Sequence, residues 1–154
     1  MTPPKELLVS AIKDGTVIDH IAAGQALAII RILGLSDYQK VVTVGLCLPS
    51  HAMGKKDLLK IEGRELNAAE ANEVALFAPQ ATVNIIRNYK ITKKFAVKLP
   101  ELVESFIVCP NRACITNHES ITTVFYIIPG KSARVRCQYC EKIFALEEIK
   151  EYNL

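Results

Sequence analysis

A chain of 154 residues is long enough for one ordinary domain or two small ones. Half of its residues are hydrophobic and 23% are charged, a balance that supports a packed core and excludes a disordered chain. The formal net charge of +3 is too mild to demand nucleic acid, and no apolar run approaches the roughly 20 residues a membrane span needs.

The start, MTPPKELLVS, lacks the basic beginning and apolar centre of a secretory signal, so a cytoplasmic location is expected, where thiols stay reduced. Along the first hundred residues, LLVSAIKDGTVIDHI sets Asp14-Gly15 between two apolar runs, a turn or hairpin signal. AAGQALAIIRIL has helical spacing, with Gly34 placed to end the helix. VVTVGLCLP predicts a strand closed by Pro49, and KKDLLKIEG a short strand of ambiguous period. Asn67 and Glu70 have the residue types of a capping box, with Pro79 beyond the helix they open. ATVNIIRNYKITKKFAVKLP predicts two more strands. The expectation is an α+β, ferredoxin-like sandwich: one antiparallel sheet with two helices on one face.

Leu99-Pro100-Glu101 marks a boundary, giving domains of 1–100 and 101–154. Charge divides the same way, with 13 Lys+Arg against 9 Asp+Glu before it and 6 against 7 after. Beyond it, FIVCP, TTVFYIIP and ARVRCQYC look like short strands, followed by a closing EKIFALEEIKEYNL, a small all-β module. So short a module has too little core to be stable alone and needs a staple.

The staple is legible. Cys109, Cys114, Cys137 and Cys140 form two pairs, CPNRAC and CQYC, separated by 22 residues. Thiolates are good zinc ligands, and two such loops can close a tetrahedron around one structural Zn²⁺ per chain. With every position taken by sulfur, no water is left to activate. His118 lies between the pairs and is expected on the surface, while Cys47, inside an apolar strand, reads as a small buried hydrophobe. Such a zinc ribbon could bind nucleic acid or dock on a protein. Seven acids offset Arg112, Lys131, Arg134 and Arg136, so on charge alone docking is at least as well supported as nucleic-acid binding.

In the first module Asp19-His20 closes a strand before a helix, where a carboxylate can meet ribose hydroxyls and neighbouring cations phosphate. No Walker or GxGxxG loop is present, so nucleotide binding has no motif behind it. The histidines are scattered and no nucleophile has an evident base, so no enzyme is expected.

GTVIDHI, GLCLPS, MGKKDLLKIE, LFAPQATVN, FIVCPNRACI and CQYCEK, in that order, closely resemble the regulatory chain of aspartate carbamoyltransferase, an enzyme of pyrimidine biosynthesis. The resemblance implies a non-catalytic chain with an N-terminal domain that binds CTP or ATP and a C-terminal zinc domain that docks on the catalytic chain. It also implies regulatory-chain homodimers that bridge catalytic trimers, with neither nucleic acid nor membrane as partner. By position it puts Val9 and Asp19 at the ribose, Lys60 near ribose and base, and Ile12, Tyr89 and Ile91 around the base with Asn84 close by. His20 and Lys94 would face the triphosphate, and Asn111, Tyr139 and Lys142 the catalytic chain. Ala96 stands where a basic phosphate-side residue can occur in the family, a departure that would weaken triphosphate binding or pass that role to Lys93. Cys47, the His51-Ala52 loop and Ala113 are further departures.

Overall fold

The computed structural model describes residues 10–153. Val9, and most of the apolar run before Asp14, lie outside the described residues. The chain separates into two compact units, one ending at Lys98 and the other beginning at Leu99.

The first unit runs β1 (Gly15–Ala22), α1 (Ala26–Ile32), β2 (Val42–Ser50), β3 (Gly54–Glu62), α2 (Ala68–Val74), β4 (Thr82–Arg87) and β5 (Lys90–Ala96). Its sheet has the order β2-β3-β1-β4-β5, every neighbour antiparallel. β1 is therefore parallel to β2, and β3 to β4, each pair joined through a helix. These are the two interleaved crossovers of a ferredoxin-like sandwich, lengthened by the β4–β5 hairpin.

Alternation along the strands decides which side the helices cover. Ile18, Leu59 and Val83 are fully buried and adjacent in one cross-strand row, with Thr16, Ile61 and Ile85 in the next. α1 buries Ala26 and Ile29, and α2 buries Ala71 and Val74. Gly34 follows α1 in the left-handed conformation expected of it, at φ +63°. At the start of α2, Asn67 accepts from the Glu70 amide at 2.9 Å and Glu70 reaches back to the Asn67 amide, the capping box in full. Arg64 ties the two helices, donating to the Leu33 carbonyl at 2.8 Å and pairing with Glu70.

Two expectations for β2 are corrected. The strand continues through Pro49 to Ser50, because β2 is an edge strand and a missing N–H there costs no ladder bond. Cys47 is exposed rather than buried, since a bulge between Gly45 and Leu48 breaks the alternation and puts Cys47 at φ +56°.

The second unit forms a sheet in the order β6-β7-β8-β9: β6 (Leu102–Glu104), β7 (Val124–Ile128), β8 (Arg134–Cys137) and β9 (Ile143–Ala145). Phe125, Val135 and Cys137 are fully buried beneath it. FIVCP, expected as a strand, makes only one bridge, Ile107 to Tyr152, while Leu102–Glu104 pairs instead. The returning tail supplies FIVCP with partners: Val108 N–H donates to the Glu151 carbonyl and Asn153 N–H to that of Phe106. The Phe106 and Tyr152 rings pack 5.0 Å apart.

Candidate functional site

In the second unit the four sulfurs of Cys109, Cys114, Cys137 and Cys140 all lie within 4.8 Å of one another. Cys109 and Cys140 are 3.8 Å apart, as are Cys114 and Cys137. A tetrahedral ion with Zn–S bonds of about 2.3 Å requires sulfur–sulfur edges of about 3.8 Å, whereas a disulfide would bring two sulfurs to about 2.05 Å. Burial pushes the Cys109 and Cys137 thiols up, so bare thiolates there would be costly without a cation. Burial acts upward on Cys140 too, but hydrogen bonds from the Asn111 side chain and the Lys142 backbone outweigh it and bring it to about 7. The donor set fits one structural zinc ion, with no position left for water.

Asn111 shapes the first knuckle: its Oδ1 accepts the Ala113 N–H at 3.2 Å and its carbonyl that of Cys114 at 2.9 Å. Asn117, which the sequence did not single out, spans the loop by donating to the carbonyls of Cys109 and Asn111 at 3.0 and 2.8 Å. His118 is no ligand; its ring meets the Arg112 carbonyl at 2.9 Å. Tyr139 and Lys142 are exposed at the second knuckle.

In the first unit, the sheet face opposite the helices gathers the polar residues. Lys60, Val17, Asn84 and Lys94 lie in one cross-strand row. Asp19 lies on the same face beside Thr82. A bulge between Ile18 and Ile21 puts His20 at φ +58° and turns it onto this face too, where its Nδ1 lies 3.0 Å from Thr82 Oγ1. Asp19 accepts the His20 N–H at 2.7 Å and pairs with Lys56 at 2.8 Å. Burial pushes its carboxyl up, but the Lys56 hydrogen bond and charge, with the His20 amide, outweigh this and hold it below the ordinary value. Lys60 donates to the Ser10 carbonyl at 2.7 Å, so the segment before β1 borders the face, with Ile12 buried within it. Burial lowers the Lys60 pKa, against the pull of Asp19. Asn84 is only 7% exposed, and its Oδ1 has no hydrogen-bond partner among the described residues.

Tyr89 occupies the β4–β5 turn with Asn88, at φ +62° and +50°, and its N–H is taken by the Lys13 carbonyl at 2.9 Å. Ile91, opposite Ile86, joins the same face and is exposed.

A family model described as the allosteric domain of the aspartate carbamoyltransferase regulatory chain matches residues 7–98. Its companion, the metal-binding domain of the same chain, matches residues 101–150. The chain belongs to the aspartate carbamoyltransferase regulatory-chain family. Among curated relatives, the regulatory chain of Pyrococcus horikoshii is 52% identical over 146 residues, covering 94% of this chain and 96% of its own length. That of Methanothermobacter thermautotrophicus is 46% identical over 151 residues, 97% of each chain. That of Vibrio campbellii is 45% identical over 152 residues, 98% of this chain and 99% of its own. As a regulatory chain it is a non-catalytic subunit with an allosteric and a metal-binding domain.

One sequence expectation for the regulatory chain changes on this geometry, and one further residue joins the site. Lys93 does not share the face of Ala96. It pairs with Ile85 on the helix side of β5 and lies 5.3 Å over the Phe95 ring, whereas Lys94 and Ala96 face the other way. Lys56, which the sequence did not single out, is the direct partner of Asp19. The signal was present in the sequence, because Lys56 and Lys60 are an even number of residues apart on one strand and so share a face.

Proposed function

We propose that the chain is the allosteric subunit of an aspartate carbamoyltransferase, binding CTP and ATP on the second face of the first sheet and docking on the catalytic chain through the zinc unit. The observation that carries the nucleotide reading is Asn84. A buried carbonyl without a donor costs about 1–3 kcal/mol, which a ligand N–H would recover. Cytosine and adenine both carry an exocyclic amine that can fill this need. Along the row, Lys60 stands on one side of Asn84 and Lys94 on the other, so base, ribose and phosphates have complementary groups within one face. Ribose hydroxyls fall to Asp19 and to Val9, the base to Ile12, Tyr89 and Ile91, and the triphosphate to His20 and Lys94. Since the Tyr89 N–H is occupied, the Tyr89 backbone offers a base its carbonyl.

CTP and ATP compete for this face, and each shifts the low- and high-activity states of the assembly only by its differential affinity for them, typically about 1–3 kcal/mol. CTP, the pathway end product, favours the low-activity state and ATP the other. Asn111, Tyr139 and Lys142, grouped around the zinc knuckles, form the surface for the catalytic chain. A regulatory homodimer has a place at the edge strand β2, where Val41 just before it and Leu46 within it expose apolar side chains beside a ladder edge unpaired among the described residues.

Lys94→Ala tests the nucleotide site. CTP affinity measured by calorimetry should fall about tenfold, the value of one charge-assisted phosphate contact, with zinc content unchanged. Unaltered affinity would overturn the reading.

A further inference from the structure

Asp57 is a fully buried carboxylate on the helix side of β3, and no ion pair reaches it among the described residues. It is satisfied by backbone alone. Oδ2 accepts the Gly24 and Ala26 N–H groups at 2.9 and 3.1 Å, and Oδ1 accepts the Cys47 N–H at 3.0 Å. One side chain thus holds the turn after β1, the first residue of α1 and the edge strand β2. The N-cap of α1, Gln25, makes no side-chain cap of its own, so Asp57 supplies that acceptor from another strand.

The position matters because two bulges flank it. On one side β1 breaks register between Ile18 and Ile21, on the other β2 breaks it between Gly45 and Leu48, and both gaps lie against Asp57-Leu58 of β3. Each bulge contains a non-glycine residue at positive φ, His20 at +58° and Cys47 at +56°. Such a conformation is unfavourable for an L residue and persists only where the surroundings fix it. A bulge is also where ladder hydrogen bonds stop fixing a strand. The Asp57 carboxylate provides the fixing that the ladder does not. Through the β1 bulge it bears on Asp19 and His20, the two adjacent side chains turned together onto the opposite face.

We propose that Asp57 is the positioning residue of the ligand face, setting the side-by-side presentation of Asp19 and His20 from the other side of the sheet. The ligand class rests on the nucleotide reading above; the positioning role does not.

The experiment uses the zinc-loaded full-length chain and its Asp57→Asn variant, which keeps the shape but sets an NH₂ against a backbone N–H. CTP affinity by calorimetry should fall about tenfold, as expected when preset contacts must be ordered on binding. Amide hydrogen exchange should rise at residues 20–26 and 45–48 while β4 and the zinc unit keep their protection. Val74→Ala, a buried substitution on α2, serves as the stability control and should leave CTP affinity unchanged. An equal loss in both variants would reduce Asp57 to general stability and overturn the proposal. Should Asp57→Asn fail to fold, wild-type amide resonances decide: on CTP saturation those of Gly24, Ala26 and Cys47 should move with those of Asp19 and His20. Movement confined to Asp19 and His20 overturns the proposal. Absence of CTP binding to the wild type removes the nucleotide reading alone; unchanged exchange at His20 in Asp57→Asn then overturns the positioning role.

Discussion

Gly15 begins β1 at φ +140°, and a Cβ built there would stand 2.0 Å from the Ile61 carbonyl oxygen. That oxygen belongs to the backbone of β3, so nothing flexible can yield. Gly15→Ala should destabilise the first unit by roughly 2 kcal/mol or more, seen as a melting temperature lower by several degrees in calorimetry. Full stability would show that β1 can move away from β3 at its start. A second residue-scale consequence concerns protons. Burial lowers the Lys60 pKa in the free chain, and a bound anion would raise it again. Between those two values, binding takes up a proton. CTP calorimetry repeated in buffers of different ionisation enthalpy should show uptake that grows towards alkaline pH and vanishes in Lys60→Gln. Asp19 has the opposite sign: its folded-state pKa is depressed below 3.8, so its pairing with Lys56 contributes stability above that pH and loses it as pH falls through the folded value.

Among the elements, those with self-contained signals were legible in advance. α2 announces itself through Asn67 and Glu70, and α1 ends where Gly34 supplies a left-handed residue, because a cap is satisfied by atoms within one turn. FIVCP misled because its apolar residues are buried by a returning tail rather than by a ladder. The bulges at His20 and Cys47 gave no warning either, since a bulge is a mismatch between two strands and neither strand shows it alone. The second unit has a thin core around Phe125 and Val135, and its knuckles close around sulfur. Removing zinc with a strong chelator should therefore unfold residues 99–154 and spare the first unit. Hydrogen exchange would show protection lost in β6 to β9 and kept in β1 to β5; equal protection throughout would mean that the metal is not the staple.

At the scale of the whole molecule, the chain is two units of different chemistry: a cationic sheet face bordered by Asp19 and Asn84, and a sulfur cage with exposed Tyr139 and Lys142 beside it. No helix among the described residues is long and apolar enough to cross a membrane. Cys114→Ala should leave the cage one ligand short and abolish co-purification with a catalytic carbamoyltransferase chain, while CTP binding to the first unit persists. A mutant that still assembles would show that the zinc does not organise the docking surface. Loss of both activities together would deny the units their separate roles.

What the sequence by itself determined follows from local rules: the cysteine spacing and hence the metal, the capping box that opens α2, and the glycine that ends α1. Each depends on residues within a few positions of one another, or on a ligand pattern that only one ion satisfies. The tertiary structure alone decided that Lys93 faces away from Lys94, that Cys47 is exposed, that Asn84 Oδ1 lacks a donor among the described residues and that Asp57 grips two neighbouring strands. These are properties of register, and register is set by pairing between strands far apart in the chain, where one residue more or less turns a side chain to the opposite face.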